Sequence, residues 1–363
     1  MATVGCVRQN IDKVMNTVNK ANRPKIMMIY TGGTIGMKEN PETHALEPFD
    51  FTHLLDNVPK LKMLDYEIGF HQFQHPIDSS SMNPHYWGQI VRVIEDNYHD
   101  YNGFVVLHGT DTMAYTASAL SFMLENLSKP VIITGSQLPI GEVRTDGEEN
   151  LITALQIAAA RDADGRSTVR EVAILFENYL WRGNRSTKQS ADNFDAYRSY
   201  NYPELAKIGL EITFNRDALW RGSVYDAPMN VHYAMDTAVM FLDLFPGISR
   251  EVVSNVLHIP GLKALVLKTF GAGNAPGEKW FLDAMKEAVE RGLVIINITQ
   301  CANGGVDPER YTSGLDLEET GVVPGHDLTS EAAITKLMYL LGRNMKPSQV
   351  KHYMQCNLCG EMS

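Results

Sequence analysis

Ile26-Met27-Met28-Ile29-Tyr30-Thr31-Gly32-Gly33-Thr34-Ile35-Gly36 decides the fold. Its first five residues form a short continuous apolar run, the pattern of a strand buried on both faces of a parallel sheet. The run breaks into hydroxyls and paired glycines, which permit a tight turn and close backbone approach to a ligand. A second junction of the same kind follows, where Phe104-Val105-Val106-Leu107 runs into His108-Gly109-Thr110-Asp111-Thr112. In an open parallel sheet, ligands bind outside the carboxyl ends of strands, where the connections reverse. Two polar loops at two strand ends therefore point to one threonine-rich site.

Outward from these junctions, apolar runs alternate with stretches of helical period. Residues 103–107, 131–133 and 172–176 read as strands, and residues 112–125 and 151–161 as helices. This βαβα order predicts an α/β fold with a parallel sheet and right-handed crossovers. The pattern weakens between Tyr202 and Tyr233, and a second α/β series follows. Its expected strands are 238–242, 264–268 and 293–298, and its expected helices 249–257, 277–291 and 329–341. The expected organisation is an extension over residues 1–24, helical or frayed, and a larger N-terminal catalytic α/β domain over 25–205. A linker over 206–235 and a smaller C-terminal α/β domain over 236–363 complete it. A length of 363 residues suits roughly two domains.

Composition narrows the partners. The formal net charge is −11, with no basic stripe, which argues against nucleic acid, because phosphate binding needs clustered Lys and Arg. No apolar run approaches the ~20 residues of a membrane helix. Residues 1–25 lack the apolar core of a secretory signal, so a cytoplasmic location is expected. Cys6, Cys301, Cys356 and Cys359 are too few for a disulfide scaffold in a chain of this length. Cys356-Asn357-Leu358-Cys359 has C-x-x-C spacing but no second pair, and reads as reduced thiols in a mobile tail.

The loops carry the candidate chemistry. Thr31–Gly36 matches neither G-x-G-x-x-G nor a P-loop, which leaves a plain turn or a hydroxyl nucleophile. Asp111 or Thr112 can cap the helix that follows. The positive end of that helix would keep Asp111 ionised, and an ionised acid beside a hydroxyl can orient or accept protons. Backbone N–H groups near Thr110 could face an oxyanion. The loop Thr134-Gly135-Ser136-Gln137 packs at the same edge. Asp78-Ser79-Ser80-Ser81-Met82-Asn83-Pro84 either starts a helix or holds the polar ends of a small zwitterion. Arg182-Gly183-Asn184-Arg185-Ser186-Thr187-Lys188 is either a solvated basic loop or the source of the base that a weak Thr nucleophile needs, in Lys188. The 11 histidines are scattered, H-E-x-x-H is absent, and no metal site is expected. The absence of G-x-S-x-G disfavours a Ser-His-Asp hydrolase.

Taken together, Thr31–Gly36 and His108-Gly109-Thr110-Asp111-Thr112-Met113 resemble the asparaginase family of threonine-dependent amidohydrolases. The resemblance runs from about Lys25 to Leu341. Leu120–Asn126, Arg182–Arg185 and Gly273-Asn274-Ala275-Pro276 look most like its cytoplasmic type I branch. It implies hydrolysis of L-asparagine to L-aspartate and ammonia, with Thr34 as nucleophile and Thr110, Asp111 and Lys188 as the other catalytic group. It implies that Asp78, Ser79 and Ser80, with Thr110 and Asp111, bind the substrate's amino and carboxylate groups. It further implies a homotetramer of intimate dimers, with Asn274 near a neighbour's site, and no metal or organic cofactor. Glutaminase, an amidotransferase subunit and a non-catalytic asparagine sensor are the alternatives on the same scaffold. Two positions depart from the family pattern. His44 stands where the family's lid tyrosine is expected, so His44 or a nearby residue such as Tyr66 would take that part. A regulatory asparagine site would involve Lys268, Thr299, Gln300 and Cys301, with Lys268 in place of an expected arginine. Lysine lacks the bidentate fork that suits a carboxylate.

Overall fold

The computed structural model of the protein describes residues 23–39, 46–48, 58–222, 227–307 and 312–363. The expected N-terminal extension lies outside these residues, apart from its last two. The large sheet contains eight strands: β1 (Lys25–Tyr30), β2 (Glu67–Gln72), β3 (Gly103–Leu107), β4 (Val131–Thr134), β5 (Val172–Phe176), β6 (Tyr179–Arg182), β7 (Ala206–Ile208) and β8 (Ile212–Phe214). Their spatial order is β8-β7-β6-β5-β4-β3-β1-β2. Strands β2, β1, β3, β4 and β5 are parallel, and β6, β7 and β8 add an antiparallel edge.

The 2-1-3-4-5 order of the parallel part has its switch point between β1 and β3, because the chain leaves β1 in one direction and returns on the other side. The two threonine loops emerge at that point. The strands alternate between two cores, as period-2 geometry requires. Ile26, Met28, Val105, Leu107 and Ile132 face Leu151, Leu155 and Ala158 of α3 (Gly147–Ala159). Met27, Ile29, Phe104, Val106 and Ile133 face Trp87, Ile90 and Ile94 of α1 (Pro84–Asn97), and Ala117 and Leu120 of α2 (Met113–Met123). Asn83 caps α1, accepting from His85 N at 3.0 Å, and Pro84 takes the first helical position, where no N–H is needed.

Strands β7 and β8 fall within the stretch read as the linker. Each has three residues, too short to show a period, and both are recruited by pairing. Ala206 lies opposite Leu180, and Ile208, Ile212 and Phe214 pack onto the first core.

The second sheet is fully parallel, β9 (Val239–Asp243), β10 (Ala264–Thr269), β11 (Val294–Thr299) and β12 (Val323–Pro324), in sequential order. Around it run α4 (Arg250–Leu257), α5 (Lys279–Glu290), α6 (Thr312–Glu319), α7 (Ser330–Gly342) and α8 (Pro347–Met354). Helix α2 is buried on nearly every side because α7 covers the face turned away from the large sheet, with Phe122 stacked on Tyr339 at 5.9 Å. Burying one such aromatic or Leu side chain stabilises by about 1.5–3 kcal/mol, so this seam contributes to joining the two sheets. Among the described residues no helix is long and apolar enough to cross a membrane.

The segment after α8 is not the mobile tail expected from its composition. Glu361 is fully buried and ion-paired to Lys336 at 2.6 Å. The two thiols have separate surroundings. Cys356 Sγ lies 3.4 Å from His352 O, and Cys359 Sγ accepts from Asn184 Nδ2 at 3.2 Å. Burial pushes the Cys359 thiol pKa well above its ordinary value. A local polar composition could not reveal a buried lysine 25 residues upstream on α7.

Candidate active site

Three loops meet at the carboxyl ends of β1 and β3 through backbone contact. Gly33 has φ +90°, and a Cβ there would lie 2.5 Å from Gly109 Cα. A Cβ on Gly32 would lie 2.2 Å from Ile77 O, and one on Gly109 would lie 2.6 Å from Ser79 Oγ. Only glycine permits this approach, so the paired glycines seat Thr34 beside the Thr110 loop. Ile77 N also donates to Thr31 O at 2.7 Å, which brings the 78–80 loop onto the same edge.

Thr112 is the N-cap of α2, but its side chain does not cap the helix. Its hydroxyl donates to Ser79 O at 2.7 Å, and Asp111 N donates to Ser79 Oγ at 3.3 Å. Ser79 is buried and stitches the two loops together, whereas Asp78 and Ser80 remain exposed. Asp78 Oδ1 accepts from Ser80 N at 2.9 Å, and hydrogen bonds from Ser80 backbone and side chain hold its pKa below the usual carboxylate value. The carboxylate at the rim is therefore anionic. The Asp111 N–H, one of the expected oxyanion donors, is directed at Ser79.

Lys188 enters from the turn after β6. Its Nζ donates to Thr110 Oγ1 at 2.9 Å and to Asp111 Oδ1 at 2.7 Å. Lys188 is largely buried, with 17% of its side chain exposed, and Asp111 is 66% exposed. Thr34 and Thr110 are both half-buried. Thr110 Oγ1 also lies 3.3 Å from Gln137 Oε1, and Tyr197 OH donates to Thr110 O. Gln137 is fixed through its backbone N–H, which donates to the Asp146 carboxylate at the start of α3. Thr187 Oγ1 donates to Glu331 Oε1 of α7 at 2.7 Å.

His108 supports the loop from behind. Trp87 Nε1 donates to Thr116 Oγ1 at 3.0 Å, and that hydroxyl lies 2.9 Å from His108 Nε2. Thr116 can then give its own proton to Nε2, leaving the ring proton on Nδ1, 2.7 Å from Gly109 O. Burial lowers the His108 pKa to about 4, outweighing the opposing Gly109 bond, so the ring is neutral at pH 7.

The structure thus brings together Thr34, Thr110, Asp111, Lys188, Asp78, Ser79 and Ser80. His44 lies outside the described residues. Tyr66 does not serve this edge. It precedes β2, whose first residue pairs with Lys25, so it sits at the amino end of the sheet and packs against the first core. Five residues of strand, about 17 Å, separate that end from the site. Lys268, Thr299, Gln300 and Cys301 gather at the carboxyl edge of the second sheet. There Lys268 Nζ pairs with Asp243 Oδ1 at 3.1 Å, Gln300 Nε2 donates to Leu244 O at 2.6 Å, and Cys301 N donates to Thr299 Oγ1 at 2.9 Å. Gln137 belongs to the strand-end loop expected at this edge, whereas Tyr197 and Glu331 escape a sequence reading, because a lone Tyr or first-turn Glu carries no local signal of a partner far along the chain.

A cavity of about 650 Å³ lies at the seam between the two sheets, lined by Phe122, Arg170, Arg182, Trp220 and Tyr339 among others. None of the threonine-site residues lines it, and the hydroxyl–lysine geometry outweighs cavity size as an indicator of chemistry. Among the described residues no cluster of three His, Cys, Asp or Glu could hold a metal.

Residues 25–220 match the model described as "Asparaginase, N-terminal", and residues 238–354 match "Glutaminase/Asparaginase C-terminal domain". The chain is 43% identical over 345 residues to L-asparaginase 1 of Escherichia coli (strain K12), covering 94% of this chain and 98% of that protein. It is 40% identical over 365 residues to a 60 kDa lysophospholipase of Mus musculus, covering 93% of this chain and 62% of that protein. A solved structure of L-asparaginase I from Vibrio cholerae superposes with a TM-score of 0.85 at 42% identity, over 94% of this chain and 99% of that one. The chain belongs to the asparaginase family.

Proposed function

We propose that the protein hydrolyses the side-chain amide of L-asparagine, giving L-aspartate and ammonia, with Thr34 as nucleophile. The observation that carries this reading is Lys188 Nζ bonded to both Thr110 Oγ1 and Asp111 Oδ1, on a loop whose Gly109 abuts Gly33. An amide is a poor electrophile with a poor leaving group, so an unassisted threonine hydroxyl would be ineffective.

Thr34 Oγ1 bonds to the carboxamide carbon as its proton passes to Thr110 Oγ1, whose own proton goes to Lys188 acting in its amine form; Lys188 then holds the proton that the leaving amide nitrogen requires. The amide nitrogen takes up a proton, its bond to carbon breaks, and ammonia departs. Water then attacks the threonyl ester, releasing aspartate and restoring the hydroxyl. Asp111 anchors Lys188 throughout, and proton transfer by a positioned group of this kind contributes ~10²–10⁴ in rate. Asp78, kept anionic by Ser80, and Asp111 both bind the α-ammonium. Ser79 holds the two loops in register, and Ser80 stands exposed at the rim for the carboxylate.

A homotetramer, a cytoplasmic location and a regulatory asparagine site at Lys268, Thr299, Gln300 and Cys301 belong to the same reading. The clustering of those four residues at a second strand-end edge supports the last, and a sigmoidal rate curve with asparagine would test it. The principal test is ammonia release from asparagine and glutamine side by side. Turnover of asparagine by the intact chain, and its loss in a folded Thr34→Ala variant, are expected. Binding without turnover, or wild-type turnover in Thr34→Ala, refutes the assignment.

A further inference from the structure

Residues 182–186 are entirely buried, yet they include two guanidinium groups and an amide. Charged groups that deep persist only when paired and hydrogen-bonded. Their charges are met by Glu171, 2.6 Å from Arg182, and Asp327, 2.8 Å from Arg185, and four further partners come from the last eight residues of the sequence. Arg182 Nη1 donates to Gly360 O at 3.3 Å, Asn184 Nδ2 to Cys359 O at 3.1 Å, Arg185 Nη1 to Glu361 O at 2.9 Å and Arg185 Nη2 to Ser363 Oγ at 2.9 Å.

This tail is itself clamped to the C-terminal domain. Lys336 Nζ of α7 pairs with Glu361 at 2.6 Å and donates to Cys356 O at 2.6 Å. The Glu361 carboxylate also accepts from Leu358 N and Cys359 N, and Ser363 N donates to Asp327 Oδ1 at 3.0 Å. Lys188 follows the segment 182–186 after one residue, Thr187, whose hydroxyl is itself tied to Glu331 of α7 at 2.7 Å. On its other side, residues 189, 191–193 and 195 are exposed, and the two-residue pairing of Thr187–Lys188 with Tyr197–Arg198 is short.

We propose that residues 356–363 position Lys188, by tying the strand-turn that carries it to the C-terminal domain. The inference rests on the assignment of Lys188 to amide hydrolysis. A lysine has a long stem with much rotamer freedom, so the site of its ammonium depends on a fixed backbone origin. The tail supplies that origin from the domain opposite the loops that Lys188 serves.

The test compares three proteins: the intact chain, a chain ending at Gln355, and full-length Asn184→Ala, which removes only the two bonds to Cys359. Lysine reductive methylation mapped by mass spectrometry reads the freedom of Lys188 against exposed Lys207, and ammonia release gives kcat and KM. Faster labelling of Lys188 in the shortened chain is expected. A fall in kcat of ~10–100-fold with KM changed less than about twofold is expected with it, since a misplacement of about 1 Å costs that much. A synthetic peptide of residues 356–363 should restore both readouts. Asn184→Ala should shift both in the same direction by less, and it decides the matter if the shortened chain does not fold. Unchanged Lys188 labelling and unchanged kcat in a folded variant overturn the proposal. An intact chain inactive on asparagine overturns the asparaginase reading alone, because the labelling does not involve substrate.

Discussion

Replacing Gly33 with alanine tests whether contact between the two threonine loops makes the site. Gly33 has φ +90° and ψ 169°, a region that only glycine occupies readily, so a side chain there costs about 1–3 kcal/mol. Its Cβ would lie 2.5 Å from both Gly109 Cα and Gly109 N. Carbon atoms in ordinary contact are about 3.5–4.0 Å apart, so the two backbones must separate by about 1 Å. That displacement falls between Thr34 and Thr110, and an error of this size costs ~10²-fold in rate. Gly141 supplies the control, with φ +105° and nothing within 4 Å of an added Cβ. Gly141→Ala carries backbone strain without the clash. In urea unfolding Gly141→Ala should lose on the order of 1–3 kcal/mol, and Gly33→Ala, which carries the clash as well, should lose more. In ammonia release from asparagine, only Gly33→Ala should lose about two orders of magnitude in kcat. Wild-type kcat in Gly33→Ala, or equal losses in both variants, would refute the reasoning.

Lys188→Met should cost at most about 1 kcal/mol of stability, because its partner Asp111 is mostly exposed and such pairs are screened. The same variant should lower kcat by ~10²–10⁴, and a loss under about threefold would remove Lys188 from the chemistry. For His108 the folded-state pKa lies below the unfolded value, so the unfolded chain binds the extra proton first as pH falls. Its contribution is fully present above about pH 6.5 and is lost as pH falls to about 4, to the extent of about 3 kcal/mol. Urea unfolding at pH 7.5 and pH 4.5 should show a steeper decline for the intact chain than for His108→Asn, and parallel declines would refute this.

Much of the fold can be read locally. Apolar runs such as Phe104–Leu107 and Leu265–Leu267 become strands because a central parallel strand is buried on both faces, which demands continuous apolarity. The strands β7 and β8 escape such a reading, because three residues carry no period and their order comes from pairing with β6. The catalytic candidates were legible for a related reason. Thr34, Thr110 and Asp111 follow strands directly, so the chain's own local geometry delivers them to one edge. Lys188 was visible only as part of a polar stretch, and its two acceptors lie 77 and 78 residues earlier.

The sequence by itself determined the strand-end loops, their hydroxyls and the glycines that let them touch, because these follow from short-range backbone preferences and strand burial. Tertiary structure alone decided what surrounds them. Glu331 meets Thr187, Glu361 neutralises Lys336, and the final residues hold Arg182, Asn184 and Arg185. Each of these bonds joins groups whose polar character looks, locally, like ordinary solvated surface. Only the docking of the second sheet's helices onto the first removes water from them and makes each partner necessary.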